Sequence, residues 1–397
     1  MYLRTTDKFS NNYISVRTLA PLEMNTISTW NVLMWMMKLQ TEKFPGKAQL
    51  AGALNHAYST QVRCSLTGYG ASVSVEFLFS YIQPSLIDDP DYISEVRDII
   101  DQVLFHPLFD EQSLSEAKWM LENRLARQTE DPDWCALKQA FDSFGDGVPL
   151  SVPISGTPQG IQAVTLEEVQ TCYETWLHLP RCLYCTGSFS EQMKQALAAM
   201  DTCGQPSAPC ILTRPMDPIR VSTPKAISQS SLALLYTTET ALGTPQFGAL
   251  YVLNNMLGGG QKSLLFDEIR EKHSWCYSIS SSLIRFNGLL LVTAGCTLEH
   301  IPGVLTLIRR QIETLCHDQF DQQLFESARL ELIDGIRSRQ DQPLVQLETD
   351  WQNHLLGQDV DAPAQIAGIR QVTRQDVVQA AKRLHLIVTS IVEETQS

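Results

Sequence analysis

The sequence predicts an α+β protein made of two copies of one layered unit, each a mostly antiparallel sheet covered by helices. Three observations carry this prediction. Phe109-Asp-Glu-Gln-Ser-Leu-Ser-Glu-Ala runs on to Pro132 and matches Phe320-Asp-Gln-Gln-Leu-Phe-Glu-Ser-Ala, which runs on to Pro343, without a gap and at an offset of 211. Gly160-Ile-Gln-Ala-Val-Thr-Leu-Glu-Glu-Val matches Gly368-Ile-Arg-Gln-Val-Thr-Arg-Gln-Asp-Val at an offset of 208. Two matches in the same order and at nearly the same offset mark a tandem duplication. In each copy, strands come in runs and helices in runs instead of alternating strictly, which is the pattern of a layered α+β unit. The copies are assigned to 1–201 and 225–397. The Asp-, Gly-, Pro- and Ser-rich stretch 202–224 is read as a linker.

In the first copy, Phe9–Leu19 reads as a strand, and Ile27–Leu39 as a buried helix that is apolar nearly all round. Lys47–Ala57 continues as helix. Gln61–Leu66 and Ser72–Phe79 alternate as strands, and Gly68 and Gly70 between them suit a hairpin turn. Tyr92–Val103 and Ser113–Arg127 have apolar residues at helical spacing. Thr165–Leu177 opens with a Thr-x-x-Glu capping box, Thr165 to Glu168. Cys182–Gly187 closes the copy as a strand. In the second copy, Ser228–Thr237 is a strand and Phe247–Leu257 a helix broken by Gly258-Gly259-Gly260, with a further helix over Ser263–Glu271. Cys276–Ile284 and Leu289–Ala294 are strands turned by Asn287-Gly288, and His385–Val392 is the last strand.

Thirty Lys and Arg against forty-four Asp and Glu leave a net charge of −14, which argues against binding nucleic acid through its phosphates. With 44% apolar and 19% charged residues the chain is globular. No stretch approaches the roughly 18 continuous apolar residues of a membrane span, and Met1-Tyr-Leu-Arg-Thr-Thr-Asp-Lys has no apolar core of a secretory signal. Ten cysteines at scattered spacings suit a reducing, cytoplasmic setting. Cys182-Leu-Tyr-Cys185 is a lone CxxC and reads as structural cysteine in a strand.

The most informative segment is Met256-Leu-Gly-Gly-Gly-Gln-Lys-Ser-Leu-Leu-Phe-Asp-Glu-Ile-Arg270-Glu-Lys-His-Ser-Trp-Cys-Tyr277. Here the chain resembles the pitrilysin/insulinase-like metallopeptidases, the inverzincins. Their second unit carries a helix ending in Leu-Gly-Gly, a Ser-x-Leu-Phe helix, Arg-Glu-Lys, and a Tyr seven residues beyond that Arg. The tandem unit of about two hundred residues agrees with the family as well.

The family's catalytic signature, His-x-x-Glu-His, places two imidazoles on one helix face to hold zinc, with the Glu as base. Gln40-Thr41-Glu-Lys43-Phe-Pro45 resembles the family's Gly-Thr-x-Lys-x-Pro continuation, which sets the register and puts Asn31, Met34 and Trp35 where the signature belongs. None of these is a zinc ligand or base, and by themselves they read as ordinary core helix. No two of the eight histidines lie three to five residues apart, and Glu116, near the family's third ligand position, cannot hold zinc alone. The resemblance therefore implies a chain without a cofactor of its own.

By themselves Arg270 and Tyr277 would read as an ion pair and a packed aromatic. The resemblance implies instead that they bind substrate and stabilise a tetrahedral intermediate. Gly258, Gly259 and Gly260 are a weaker signal, since helix ends also favour glycine. The implied role is that of the zinc-free subunit in a heterodimeric peptidase. Zinc would sit in a homologous partner, the two chains would enclose a peptide, and removal of a leader from a ribosomally made peptide is one such task. The competing expectation is a purely structural homologue, like the family members in the respiratory cytochrome bc1 core.

Overall fold

The computed structural model describes residues 1–395 as two compact units, each built on a five-stranded sheet. The first half of the chain runs β1 (Tyr2–Thr5), β2 (Asn11–Pro21), α1 (Ile27–Met36), α2 (Lys47–His56), β3 (Gln61–Tyr69), β4 (Ser72–Ile82), α3 (Tyr92–Phe105) and α4 (Glu111–Gln128). It continues with α5 (Pro132–Asp142), α6 (Pro158–Ala163), α7 (Leu166–His178), β5 (Cys182–Gly187) and α8 (Glu191–Met200). The second half runs β6 (Ile219–Lys225), β7 (Ser230–Thr237), α9 (Phe247–Asn254), β8 (Cys276–Ile284), β9 (Leu289–Cys296) and α10 (Ile301–Cys316). It ends with α11 (Gln322–Arg339), α12 (Pro343–Leu355), α13 (Ala362–Gln371), α14 (Arg374–Lys382) and β10 (His385–Glu394).

The duplication extends to sheet topology. The strand orders are β1-β5-β2-β4-β3 and β6-β10-β7-β9-β8, the same order in each copy. In both, the first strand is parallel to the last (β1 with β5, β6 with β10) and the other pairs are antiparallel. Helices α4 and α11 begin at 111 and 322 and end at 128 and 339, so the offset of 211 holds at both ends. Both capping boxes form: Thr165 with Glu168 at α7, and Thr373 with Asp376 at α14. Each reciprocal pair satisfies two backbone N–H groups that have no partner inside the helix.

The boundaries read from the sequence follow the duplication, whereas the compact units exchange one helix each. The first unit comprises Met1–Leu125, Val152–Ala208 and Gln342–Asp359, and so contains α12. The second comprises Ala126–Ser151, Pro209–Asp341 and the chain from Val360 on, and so contains α5. Within the first unit α12 lies against β5 and β2, with Leu347, Trp351 and Leu355 buried. Within the second unit α5 lies against β7 and β10, with Ala136 and Ala140 wholly buried beside Ala233 and Leu235.

A charged cluster holds α12 in place. The Arg17 side chain on β2 is 5% exposed and reaches Glu76 on β4 at 2.7 Å and Glu348 on α12 at 2.6 Å. Tyr69 donates to the other oxygen of Glu348 at 2.6 Å. Burial works against the Arg17 charge, but the two carboxylates outweigh it and raise the guanidinium's pKa. The Arg17 guanidinium also lies 5.7 Å from the centroid of Trp351.

Several element boundaries differ from the sequence reading for physical reasons. β1 and β6 escape detection because they are edge strands with little buried surface. β6, inside the segment read as linker, carries Pro224, which an edge strand tolerates. The first long helix stops at Met36 instead of Leu39, and β4 runs on to Ile82. One disulfide, Cys182–Cys203, stands among otherwise free cysteines, so Cys182 pairs with the segment after α8 and not with Cys185.

Trp351→Ala tests the helix exchange. It should destabilise the first unit by about 3–5 kcal/mol, the usual loss for a fully buried tryptophan. Chemical denaturation followed by circular dichroism measures this.

Candidate functional site

Both segments singled out in the sequence sit on helix and strand ends whose local geometry can be described within one unit. In the first unit, Asn31, Met34 and Trp35 fall on α1. Asn31 is buried and donates through Nδ2 to the carbonyls of Ile27 at 2.9 Å and Ile154 at 2.8 Å. Met34 is 4% exposed. Trp35 is half-buried, and the Lys38 ammonium lies 3.5 Å from its ring centroid. This stretch of helix offers neither imidazole nor carboxylate to a metal. Glu116 on α4 is bound elsewhere, with its carboxylate 2.8 Å from the Lys47 ammonium on α2.

Asn31, Met34 and Trp35 thus come together at a cavity of about 110 Å³, and Glu116 is not among its lining residues. Lys38, Cys64 and Arg124 complete much of the lining, and sequence reasoning did not single them out. Lys38 follows Trp35 by three residues, a helical spacing that could have drawn attention. Nothing in the sequence ties Arg124 on α4 to this place.

One group of three among the described residues has the ligand atoms to hold a metal. Cys182, Cys203 and His354 lie with those atoms within 4.8 Å of one another. The two sulfurs are joined as a disulfide, and the Tyr184 hydroxyl is 2.6 Å from His354 Nδ1. In that state only an imidazole nitrogen remains. The Cys185 thiol, one residue beyond Tyr184, is pushed up to about 12 by burial and stays protonated.

In the second unit, α9 runs into a π-helical turn, Asn255–Gly259, and the helix ends at Gly260, so the glycines break it as the sequence suggested but widen its last turn first. Gly260 N–H donates to the Asn255 carbonyl at 2.9 Å, a bond across five residues. The widening brings the backbone against β8. A Cβ on Gly258 would lie 2.7 Å from the Ser281 nitrogen, and one on Gly260 would lie 2.6 Å from Asn255 Oδ1. Ser281 in turn donates to Asn254 Oδ1 at 2.9 Å, a buried bond that ties the end of α9 to β8.

Arg270 sits on a second π-helical turn, Phe266–Lys272, in place of the regular helix expected over Ser263–Glu271. π-turns are rare and concentrate at functional sites. The Arg270 side chain is exposed, with its guanidinium 4.8 Å from the centroid of Phe266. No hydrogen bond or ion pair to that guanidinium occurs among the described residues. Tyr277 owes its position to a β-bulge. Cys276 pairs with Cys296 and Ser278 with the adjacent Gly295, so Tyr277 is the extra, unpaired residue. Such bulges re-aim a side chain out of the strand alternation. Tyr277 is 66% exposed, against the packed aromatic that an isolated reading would expect. An exposed guanidinium and an exposed phenol therefore stand seven residues apart on irregular backbone, each with its donors available.

Gly258→Ala tests the backbone fit behind β8. It should cost about 1–3 kcal/mol as an overpacking substitution against the backbone. Gly335→Ala, in α11 with nothing within 4 Å of the added carbon, should instead stabilise by up to about 1 kcal/mol. Thermal unfolding of the two variants side by side decides this.

Residues 163–332 match the family profile described as "Peptidase M16 inactive domain". The chain is 21% identical over 403 residues, 98% of this chain and 95% of the other, to the "Probable inactive metalloprotease YmfF" of Bacillus subtilis. A conserved protein of Enterococcus faecalis V583 has the same fold, with a TM-score of 0.91 and 21% identity, covering 100% of this chain and 96% of that one. A "peptidase M16 inactive domain" structure from Pseudomonas fluorescens superposes with a TM-score of 0.80 at 14% identity, over 100% of this chain and 96% of that one. The resemblance carried by the Leu-Gly-Gly and Arg-Glu-Lys segment is thus matched by similarity: residues 163–332 resemble the M16 inactive domain, and the chain throughout has the tandem fold of these structures.

Proposed function

We propose that the chain is the zinc-free subunit of a heterodimeric zinc metallopeptidase and supplies Arg270 and Tyr277 to a homologous, zinc-bearing partner. One contrast carries this reading. The position of the zinc signature holds Asn31, Met34 and Trp35, which no longer offer metal chemistry, whereas Arg270 and Tyr277 remain exposed with free donors. A purely structural homologue would have no use for an aromatic 66% exposed on a bulge, seven residues along the chain from an unpaired guanidinium. The name "Probable inactive metalloprotease" of the Bacillus subtilis relative lends support.

In this reading zinc in the partner polarises the scissile carbonyl when it is bound there. The work of this chain is to bind peptide and to offer the guanidinium N–H groups and the phenol O–H to the oxygen that gains negative charge. Such donors act mainly in the transition state, because the charge they meet develops only there. The substrate is a peptide, and removal of a leader from a ribosomally made peptide fits a processing subunit of this kind.

The test is reconstitution with a homologue that carries His-x-x-Glu-His. The isolated chain should hold no stoichiometric zinc by elemental analysis, and a 1:1 complex should gain peptidase activity. Tyr277→Phe, which removes only a hydroxyl at an exposed position, should lower kcat about a hundredfold while leaving assembly and melting temperature nearly unchanged. A Tyr277→Phe complex that cleaves at the unmutated rate would remove the hydroxyl from the chemistry.

A further inference from the structure

The cavity at the former zinc position has an unusual charge balance. Its lining includes two cations, Lys38 and Arg124, and no Asp or Glu at all, in a chain with an excess of fourteen negative charges. Neither cation has a hydrogen bond or ion pair to its charged group among the described residues. Lys38 is half-buried, with its ammonium over Trp35. Burial first, and repulsion from Arg124 in addition, hold its pKa below the ordinary lysine value, and only an ionised Cys64 thiol would counter them. That thiol is itself pushed up to about 12 by burial, so it carries no negative charge at neutral pH.

The nearby carboxylate is spoken for. Glu76 is bound by Arg17 at 2.7 Å and by the Ser65 hydroxyl at 2.9 Å. Asn31 has given both amide hydrogens to backbone carbonyls. The cavity therefore presents two like charges, one half-buried and one exposed, with no Asp or Glu in its lining. An anion between them would offset both the burial of Lys38 and its repulsion from Arg124.

We propose that this cavity is a carboxylate-binding pocket in which Lys38 and Arg124 receive the carboxylate of a peptide, either its C-terminus or an acidic side chain. The peptide part of the proposal rests on the function proposed above. Size supports a carboxylate with few further atoms, since about 110 Å³ holds only a few water molecules. Guanidinium and ammonium are strong donors to such a group, and the apolar flank of Trp35, Met34 and Leu66 accommodates the carbon next to it. Where the family's active members place a metal cation, this chain would then hold a substrate anion with side-chain cations.

Calorimetric titration of the full chain, without any partner, tests this independently of peptidase activity. The probes are N-acetyl-glycylglycine, its C-terminal amide, the side-chain acid N-acetyl-glutamate amide and inorganic phosphate. At least one of the two carboxylate probes should bind, and the better of them identifies the source of the carboxylate. The C-terminal amide should not bind. Lys38→Met and Arg124→Gln should each weaken carboxylate binding about tenfold or more. Arg124 is exposed, so its variant carries the test even if Lys38→Met fails to fold. Binding of neither carboxylate, binding of phosphate alone, or carboxylate binding unchanged in a folded variant would each overturn the proposal. Failure here would leave the heterodimer reading untouched, and a missing partner would leave this pocket untouched.

Discussion

A guanidinium buried in the middle of a sheet is the constraint on which the first unit depends. Arg17 cannot lose its charge, so its removal from water must be offset by carboxylates held at hydrogen-bond distance. Glu76 is supplied by the neighbouring strand. Glu348 comes from a helix 331 residues further along the chain. The demand of one side chain on β2 thus selects which helix covers that sheet, and Trp351 and Tyr69 pack around the choice. Losing either carboxylate would leave an under-compensated buried charge, which is among the larger single penalties a fold can carry, about 3–5 kcal/mol.

The other copy meets the same packing problem with different chemistry. There α5 covers the sheet through Ala136 and Ala140, whose small side chains allow a close approach to Ala233, Leu235 and Val388. Its polar ties are modest: Ser231 donates to Asp133, and the Lys225 ammonium donates to the Thr129 carbonyl. Two copies of one topology are therefore held by a charged cluster in one case and by close apolar packing in the other. Duplication preserves strand order because the sheet ladders and caps are repeated, while side-chain solutions at equivalent places are free to diverge.

That divergence also separates the two candidate functional regions. In the first copy the helix following the second strand stays regular, and it carries an amide satisfied by two carbonyls, a buried methionine and a half-buried tryptophan. In the second copy the helix following the equivalent strand is widened by a π-turn, a second π-turn carries Arg270, and a bulge carries Tyr277. Irregular backbone weakens local hydrogen bonding, and it is tolerated where neighbouring contacts hold it in place. Here Asn254, Ser281 and the close approach at Gly258 do so.

Much of the fold was legible in sequence because its determinants are local or repeated. The strands β5 and β8 follow from runs of β-favouring residues, the α7 cap from Thr165 and Glu168, and the duplication from two matches at almost one offset. The candidate site was legible in part. The Arg270 and Tyr277 spacing and the lack of metal-ligating side chains at Asn31, Met34 and Trp35 are matters of residue identity, which a sequence contains in full. What tertiary structure alone decided is which distant groups meet. The assignment of α12 to the first unit, the pairing of Cys182 with Cys203, the outward turn of Tyr277 and the placing of Arg124 beside Lys38 all depend on burial and ladder register. A sequence determines residue types and their short-range periodicity. Which charges are stripped of water, and which partners then remain within reach, is set only when the chain has closed on itself.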